Sequence, residues 1–117
     1  VTAPGEIAPR ALGALRDRVQ LQRRDMAPED SGGHVTIFVP LATLWARVRA
    51  LSPRAIQTAD GRATEITHAV VLRYRDDVAP GDRFVCRGRL LDVRSAEDLN
   101  GRRVFLSCLC AETSFTG

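Results

Sequence analysis

From Val19 onward, apolar and polar residues alternate along most of the chain, the period-2 pattern of strands that turn one face to a core. Val19 and Leu21 share one side, Gln20 and Gln22 the other, and "DMAPEDSGGH" then supplies turn residues. In residues 35–51, Val35, Ile37 and Val39 share one parity, whereas Leu44, Ala46, Val48 and Ala50 share the opposite one. Proline cannot donate to a strand ladder, so the flip near Pro40 predicts a bulge or corner where one long strand bends and turns its other side inward. His68, Val70, Leu72 and Tyr74 form the next apolar face, against Ala69, Val71, Arg73 and Arg75. Pro80 and Gly81 suit the central positions of a type II turn joining this strand to the next. There Phe84, Cys86, Gly88 and Leu90 alternate with Val85, Arg87 and Arg89, and Gly88 marks a bulge. Asn100 and Gly101 predict a type I′ hairpin, and Val104, Leu106, Cys108 and Cys110 share a face of the last strand.

These elements add up to a mainly β fold, a small bent-strand β-barrel of about five strands. Leu12, Leu15 and Val19 have helical spacing around "ALGALRDR", which predicts a short N-terminal helix preceded by an extended arm, residues 1–11. Residues 52–66, "SPRAIQTADGRATEI", mix Pro, Gly and polar side chains without a period and read as one long loop with a helical turn. The 117 residues fit a single domain, 1–117, large enough to fold without disulfides or metal.

Charge changes the picture more than length does. The formal net charge is +3, and all 17 basic residues are arginine, since the sequence contains no lysine. Arginine presents a planar fork of donors suited to carboxylates, phosphates and protein interfaces. Three cysteines are an odd number, no apolar run approaches the roughly 18 residues of a membrane span, and no signal-peptide pattern opens the chain. The expectation is a reduced, soluble protein made in a cytosol, with no membrane among its partners.

Candidate catalytic chemistry is thin. Cys108 and Cys110 project to one side, and Cys86 on another strand completes a conceivable thiolate trio, but a fourth ligand and the CxxC spacing of zinc sites are both missing. His34 lies in a glycine turn and His68 begins a strand, with no nucleophile patterned around either. Asp76, Asp77 and Asp82 crowd a turn, where aspartate commonly bonds the local backbone and stays solvated. The glycines are scattered through turns, so no phosphate-binding loop is present. No enzyme, cofactor or metal is expected.

Four blocks resemble a known family: "GALRDRVQLQRR", "LWARVRAL", "THAVVLRYRDDVAPGDRF" and "GRLLDVRSAEDLNGRRVFLSC". Together they cover nearly the whole chain after Gly13. The sequence is similar to the phage head-tail joining proteins, also called head-tail adaptors or head-closure (stopper) proteins, of tailed phages and phage-like gene transfer agents. It departs from that pattern at "SPRAIQTADGR", where the family carries a Ser-Gly-Arg-Glu type of sequence. The resemblance implies a homo-oligomeric ring, six-membered, between portal or adaptor proteins on the head side and tail terminator or tail tube proteins on the other. Such a ring belongs to a virion or phage-like particle, helps to retain packaged double-stranded DNA without sequence preference, and lets it pass on ejection.

Ring contacts bring one patch against a different patch of the neighbour, so arginines on outward strands are expected to meet acidic turns of adjacent chains. Trp45, Arg73, Arg75, Asp76, Asp77, Arg87 and Arg89 are the candidate subunit-interface residues, with Glu97 and Asp98 as further acidic groups. Arg54 and Arg62, which flank the unpatterned loop, are the candidates for lining a DNA channel. The rival expectation is a small nucleic-acid-binding barrel of OB or SH3 type. Its weakness is aromatic content: four Phe, one Tyr and one Trp leave little for base stacking.

Overall fold

The computed structural model describes residues 15–57 and 63–113, the side chains of 53, 54, 56 and 57 excepted. Six strands appear in chain order: β1 (Asp17–Pro28), β2 (His34–Gln57), β3 (Ala63–Arg73), β4 (Arg83–Cys86), β5 (Arg89–Asp98) and β6 (Phe105–Thr113). They pair antiparallel in the order β1-β2-β3-β6-β5-β4, and β4 returns to β1 through Gln20–Val85, Leu21–Phe84 and Gln22–Arg83 to close a barrel. Closure leaves the alternate side chains of each strand facing one interior. Val19, Leu21, Val70, Leu72, Phe84, Leu91, Val93, Leu106, Cys108 and Cys110 fill it. No helix among the described residues is long and apolar enough to cross a membrane.

The parity flip of the second strand has the expected cause. Leu21 faces Ala42 but Gln22 faces Pro40, so Leu41 is one residue too many for the ladder. The bulge beside Pro40 puts the Val35 parity and the Leu44 parity on the same side of the sheet, which faces the core only where the strand joins the barrel, from Leu44 onward. Beyond it β2 is longer than its alternation suggests. Residues expected in a loop at 52–66 are instead the end of β2 and the start of β3, with Arg54 opposite Ile66, Ala55 opposite Glu65 and Gln57 opposite Ala63. Between Ala50–His68 and Arg54–Ile66, β2 advances four residues and β3 two. Pro53, which has no N–H to give, falls in that irregularity. Residues 58–62 lie outside those described.

Three further expectations are corrected. The predicted helix around Leu12–Val19 is absent from its described part: Leu15 and Arg16 are irregular, and Asp17 already begins β1. Val19 and Leu21 pack inward at strand spacing, which overrides the helical match. The remainder of that segment, and the arm 1–11, lie outside the described residues. Second, the strand read through Gly88 is two strands. Cys86 pairs with Arg89, and Arg87 (φ 53°) and Gly88 (φ 79°) form a two-residue turn with the positive φ values that type I′ requires. The inward set accordingly moves to Leu91 and Val93. This raises the strand number to six.

Third, β3 and β4 are sequential but not neighbours. Their connection does contain the expected type II turn: Asp82 N–H donates to Ala79 O at 3.1 Å, with Gly81 at φ 100°. The Asn100-Gly101 turn is longer than two residues. Asn100 (φ 61°) and Gly101 (φ 67°) do sit left-handed, but Leu99–Gly101 is a 3-10 turn and β6 starts only at Phe105. Val104 therefore lies outside the strand, 48% exposed, and its carbonyl accepts the Tyr74 N–H.

Candidate assembly surface

Trp45 is the outward neighbour of the fully buried Ala46, so strand alternation alone puts its ring on the surface, 54% exposed. Arg18 stands opposite it on β1 and lays its guanidinium over the indole, 4.6 Å from the ring centroid. Pairing of β2 with β3 stops at Ala46–Leu72. The notch left where β3 departs is a cleft of about 280 Å³ lined by Leu15, Leu44, Trp45, Arg73, Tyr74 and Arg75, with Leu72 at its base. Three candidate interface residues are thus brought together: Trp45, Arg73 and Arg75.

Not every arginine there is available to a neighbour. Arg75 forks onto Asp77 in its own chain, Nε to Oδ1 at 2.8 Å and Nη2 to Oδ2 at 2.7 Å. This bond lowers the Asp77 pKa and raises that of Arg75. Asp76 beside them is exposed. Arg87 and Arg89 lie elsewhere, around a barrel-mouth cavity of about 410 Å³ that also contains Asp17, His68, Cys86 and Leu91. Arg87 Nη2 reaches Asp17 Oδ1 at 2.8 Å while Oδ2 of the same carboxylate accepts the Val48 N–H, and Arg89 Nε is 3.8 Å from Glu112 Oε2. Much of the predicted arginine-acid pairing is therefore made within one chain. Asp98 likewise caps the Arg103 N–H, while Glu97 is exposed. Of the channel candidates, the Arg54 backbone belongs to β2, and Arg62 lies outside the described residues.

Asp82 is not the solvated turn acid that its position predicts. It is 5% exposed, with Oδ1 accepting the Arg24 N–H at 3.1 Å and Oδ2 the Ala79 N–H at 3.0 Å. Its own backbone accepts the Val93 N–H, so one residue ties the type II turn to β1 and β5. Position alone offered no signal for this, because the partners are 58 residues away in one case. Asp82→Ala leaves two half-buried N–H groups without acceptors and is expected to lower stability by about 2 kcal/mol, measured by urea unfolding.

The thiols are core groups. Cys86, Cys108 and Cys110 are free and buried. Burial pushes Cys108 up to about 12 and Cys110 higher still, and raises Cys86 as well. Protonated thiols are poor metal ligands. Among the described residues no group of three His, Cys, Asp or Glu side chains is placed to hold a metal. His68 is buried with Nδ1 2.8 Å from Thr67 Oγ1, which also accepts the Glu112 N–H. His34 stays exposed at the β1–β2 turn.

Residues 11–113 of the sequence match a known family, described as phage head completion protein. The chain belongs to that family. It is similar to the solution structure of protein SF1141 from Shigella flexneri 2a, with 25% identity and a TM-score of 0.62 over 83% of this chain and 91% of that one. It is also similar in fold to a chain in the virion of the native gene transfer agent particle, with 20% identity and a TM-score of 0.58 over 80% and 89% of the two chains. No curated protein matches it. As a head completion protein it is a virion-associated structural component, and the surface to explain is one that meets other proteins.

Proposed function

We propose that copies of this chain assemble into a ring, six-membered, that joins the portal-adaptor to the tail, helps to hold packaged DNA and opens the way for it on ejection. The observation that carries this is the head completion match over residues 11–113. The exposed Trp45, the arginine-rimmed cleft and the exposed Arg87 and Arg89 supply surface for neighbouring subunits, while Asp76 offers a counter-charge. Work of this kind is mechanical and needs no catalytic step. A free nucleic-acid-binding barrel fits less well: among the described residues Trp45 is the one strongly exposed aromatic, and Arg18 covers its face. Electron microscopy of purified particles tests the ring directly: density for this chain should form a collar at the head-tail junction, whereas a location in the capsid shell or tail tip would refute the proposal.

Arg54, whose backbone lies in the last residues of β2, and Arg62 remain the proposed channel residues. Ring symmetry repeats each such charge around the lumen, so two positions suffice to hold phosphates through screened contacts. Particles carrying Arg54→Ala and Arg62→Ala together are expected to release DNA several-fold faster at low salt, with the difference vanishing at high salt. DNA release followed by dye fluorescence reads this, and equal rates at every salt concentration would remove these residues from the channel.

A further inference from the structure

β1 and β2 continue past the bulge as a two-stranded ribbon that no other strand flanks. β4 meets β1 only at Gln20–Gln22, and β3 meets β2 only from Ala46 onward. An isolated two-stranded ribbon is marginal in water, so a face left uncovered calls for a partner. Directly opposed residues of an antiparallel pair share a face. One face carries Met26, Thr36 and Phe38, and the barrel covers its near end: Arg83 stacks over the Phe38 ring at 3.7 Å, and the Arg24 guanidinium lies against Gly81, while Met26 farther out is 56% exposed. The other carries Val35, Ile37 and Val39 of β2 beside Ala27, Asp25 and Arg23 of β1, with Val35 40% and Ile37 38% exposed and Arg23 Nη2 3.9 Å from Asp25 Oδ2. Glu29 and Asp30 make the tip beyond it acidic.

We infer that the Val35/Ile37 face of this ribbon seats in the Trp45 cleft of a second copy, with the Glu29/Asp30 tip against the Arg73 side of that cleft. The two surfaces correspond in chemistry: the apolar β2 edge of the ribbon, flanked by the Arg23–Asp25 pair and ending in the Glu29/Asp30 carboxylates, meets an apolar floor whose rim offers Arg73, Arg75 being held by Asp77. The ribbon cannot serve its own cleft. Ile37 and Trp45 are eight residues apart on the same strand, a span of about 26 Å along it. A patch on one copy that meets a different patch on the next is a heterologous contact, the kind that generates rings when the rotation closes. The inference rests on the ring proposed above and names its contact.

The test uses full-length chains with surface cysteines added at Val35→Cys and Arg73→Cys, the three native thiols being buried. Oxidised particles carrying both changes should give a ladder of covalent oligomers on non-reducing gels. Either single variant alone should stay uncrosslinked, and a mixture of the two should stop at dimers. In parallel, Glu29→Arg with Asp30→Arg, or Arg73→Glu alone, should each weaken self-association about tenfold or more, and combining them should restore most of it. Trp45 fluorescence should shift to the blue on assembly of the unmodified chain and not on mixing the charge-reversed one. A ring that persists with no crosslink and no charge-swap rescue would overturn this contact while leaving the ring itself standing. Trp45 already shielded in the dilute monomer and exposed on deleting residues 1–13 would assign the cleft to the chain's own N-terminal segment and also overturn it. Particles with no ring of this chain would sink the ring and the contact together.

Discussion

Phe84→Ala is expected to lower stability by about 3–5 kcal/mol, a large share of the roughly 5–15 kcal/mol that holds a domain of this size folded. Phe84 is fully buried and heads the largest side chains of the interior. It faces Leu21 on one side and Leu91 on the other, so it sits where the short β4 closes the barrel between β1 and β5. β4 has four residues, and two of them, Phe84 and Cys86, supply its inward packing. Truncation leaves a cavity at the seam, where little else holds the strand. Circular dichroism with urea should find the variant largely unfolded or with a sharply lower midpoint, and Phe84→Leu should recover more than half of the loss. A loss under 1 kcal/mol would mean that closure through β4 does not hold the fold together.

Alkali should weaken the barrel well before it reaches the arginines. An unfolded thiol ionises near its ordinary value of 9.0, whereas Cys108 in the core keeps its proton to about 12 because burial penalises the thiolate. The folded pKa lies above the unfolded one, so the stabilisation is complete below pH 9 and is lost as pH climbs toward 12. That interval corresponds to on the order of 4 kcal/mol for Cys108 alone. Cys110 is shifted in the same direction for the same leading reason, with Cys108 and Asp92 adding to it. Between pH 9 and 10.5 the unfolding free energy should fall with a slope that rises from about 0.7 toward 1.4 kcal/mol per pH unit for Cys108, with Cys110 adding in the same direction. Cys108→Ala combined with Cys110→Ala should be less stable at pH 7 but nearly flat over that range. A parent protein as flat as the double variant would show the thiols to be solvated.

How much of this was legible in the sequence depends on which residues face the interior. Val70 and Leu72, and Leu106, Cys108 and Cys110, show plain alternation because each packs against the same core. The reversal of parity at Pro40 disclosed the Leu41 bulge, since one extra residue must swap the faces. Where proline and polar residues break the alternation, a strand reads as loop: residues 52–57 continue β2 through Pro53, and in the facing part of β3 Ile66 is the one buried side chain. Arg87 at positive φ concealed the β4–β5 turn, because arginine there is not one of the usual turn residues. Of the candidate interface residues, Trp45, Arg73 and Arg75 share a cleft as a consequence of topology. The self-pairing of Arg75 with Asp77 was invisible, because a sequence lists charges without saying whose partner each becomes.

The distribution of function follows from the same physics. Among the described residues the barrel interior is given to packing, while the outer surface combines apolar patches with a rim of guanidinium. Such a surface suits stacking between proteins. Electron microscopy of particles made without this chain tests that role most directly. Heads should fill with DNA, fail to keep it, and collect apart from free tails. Full, tailed particles of ordinary number and DNA content would contradict a place at the junction.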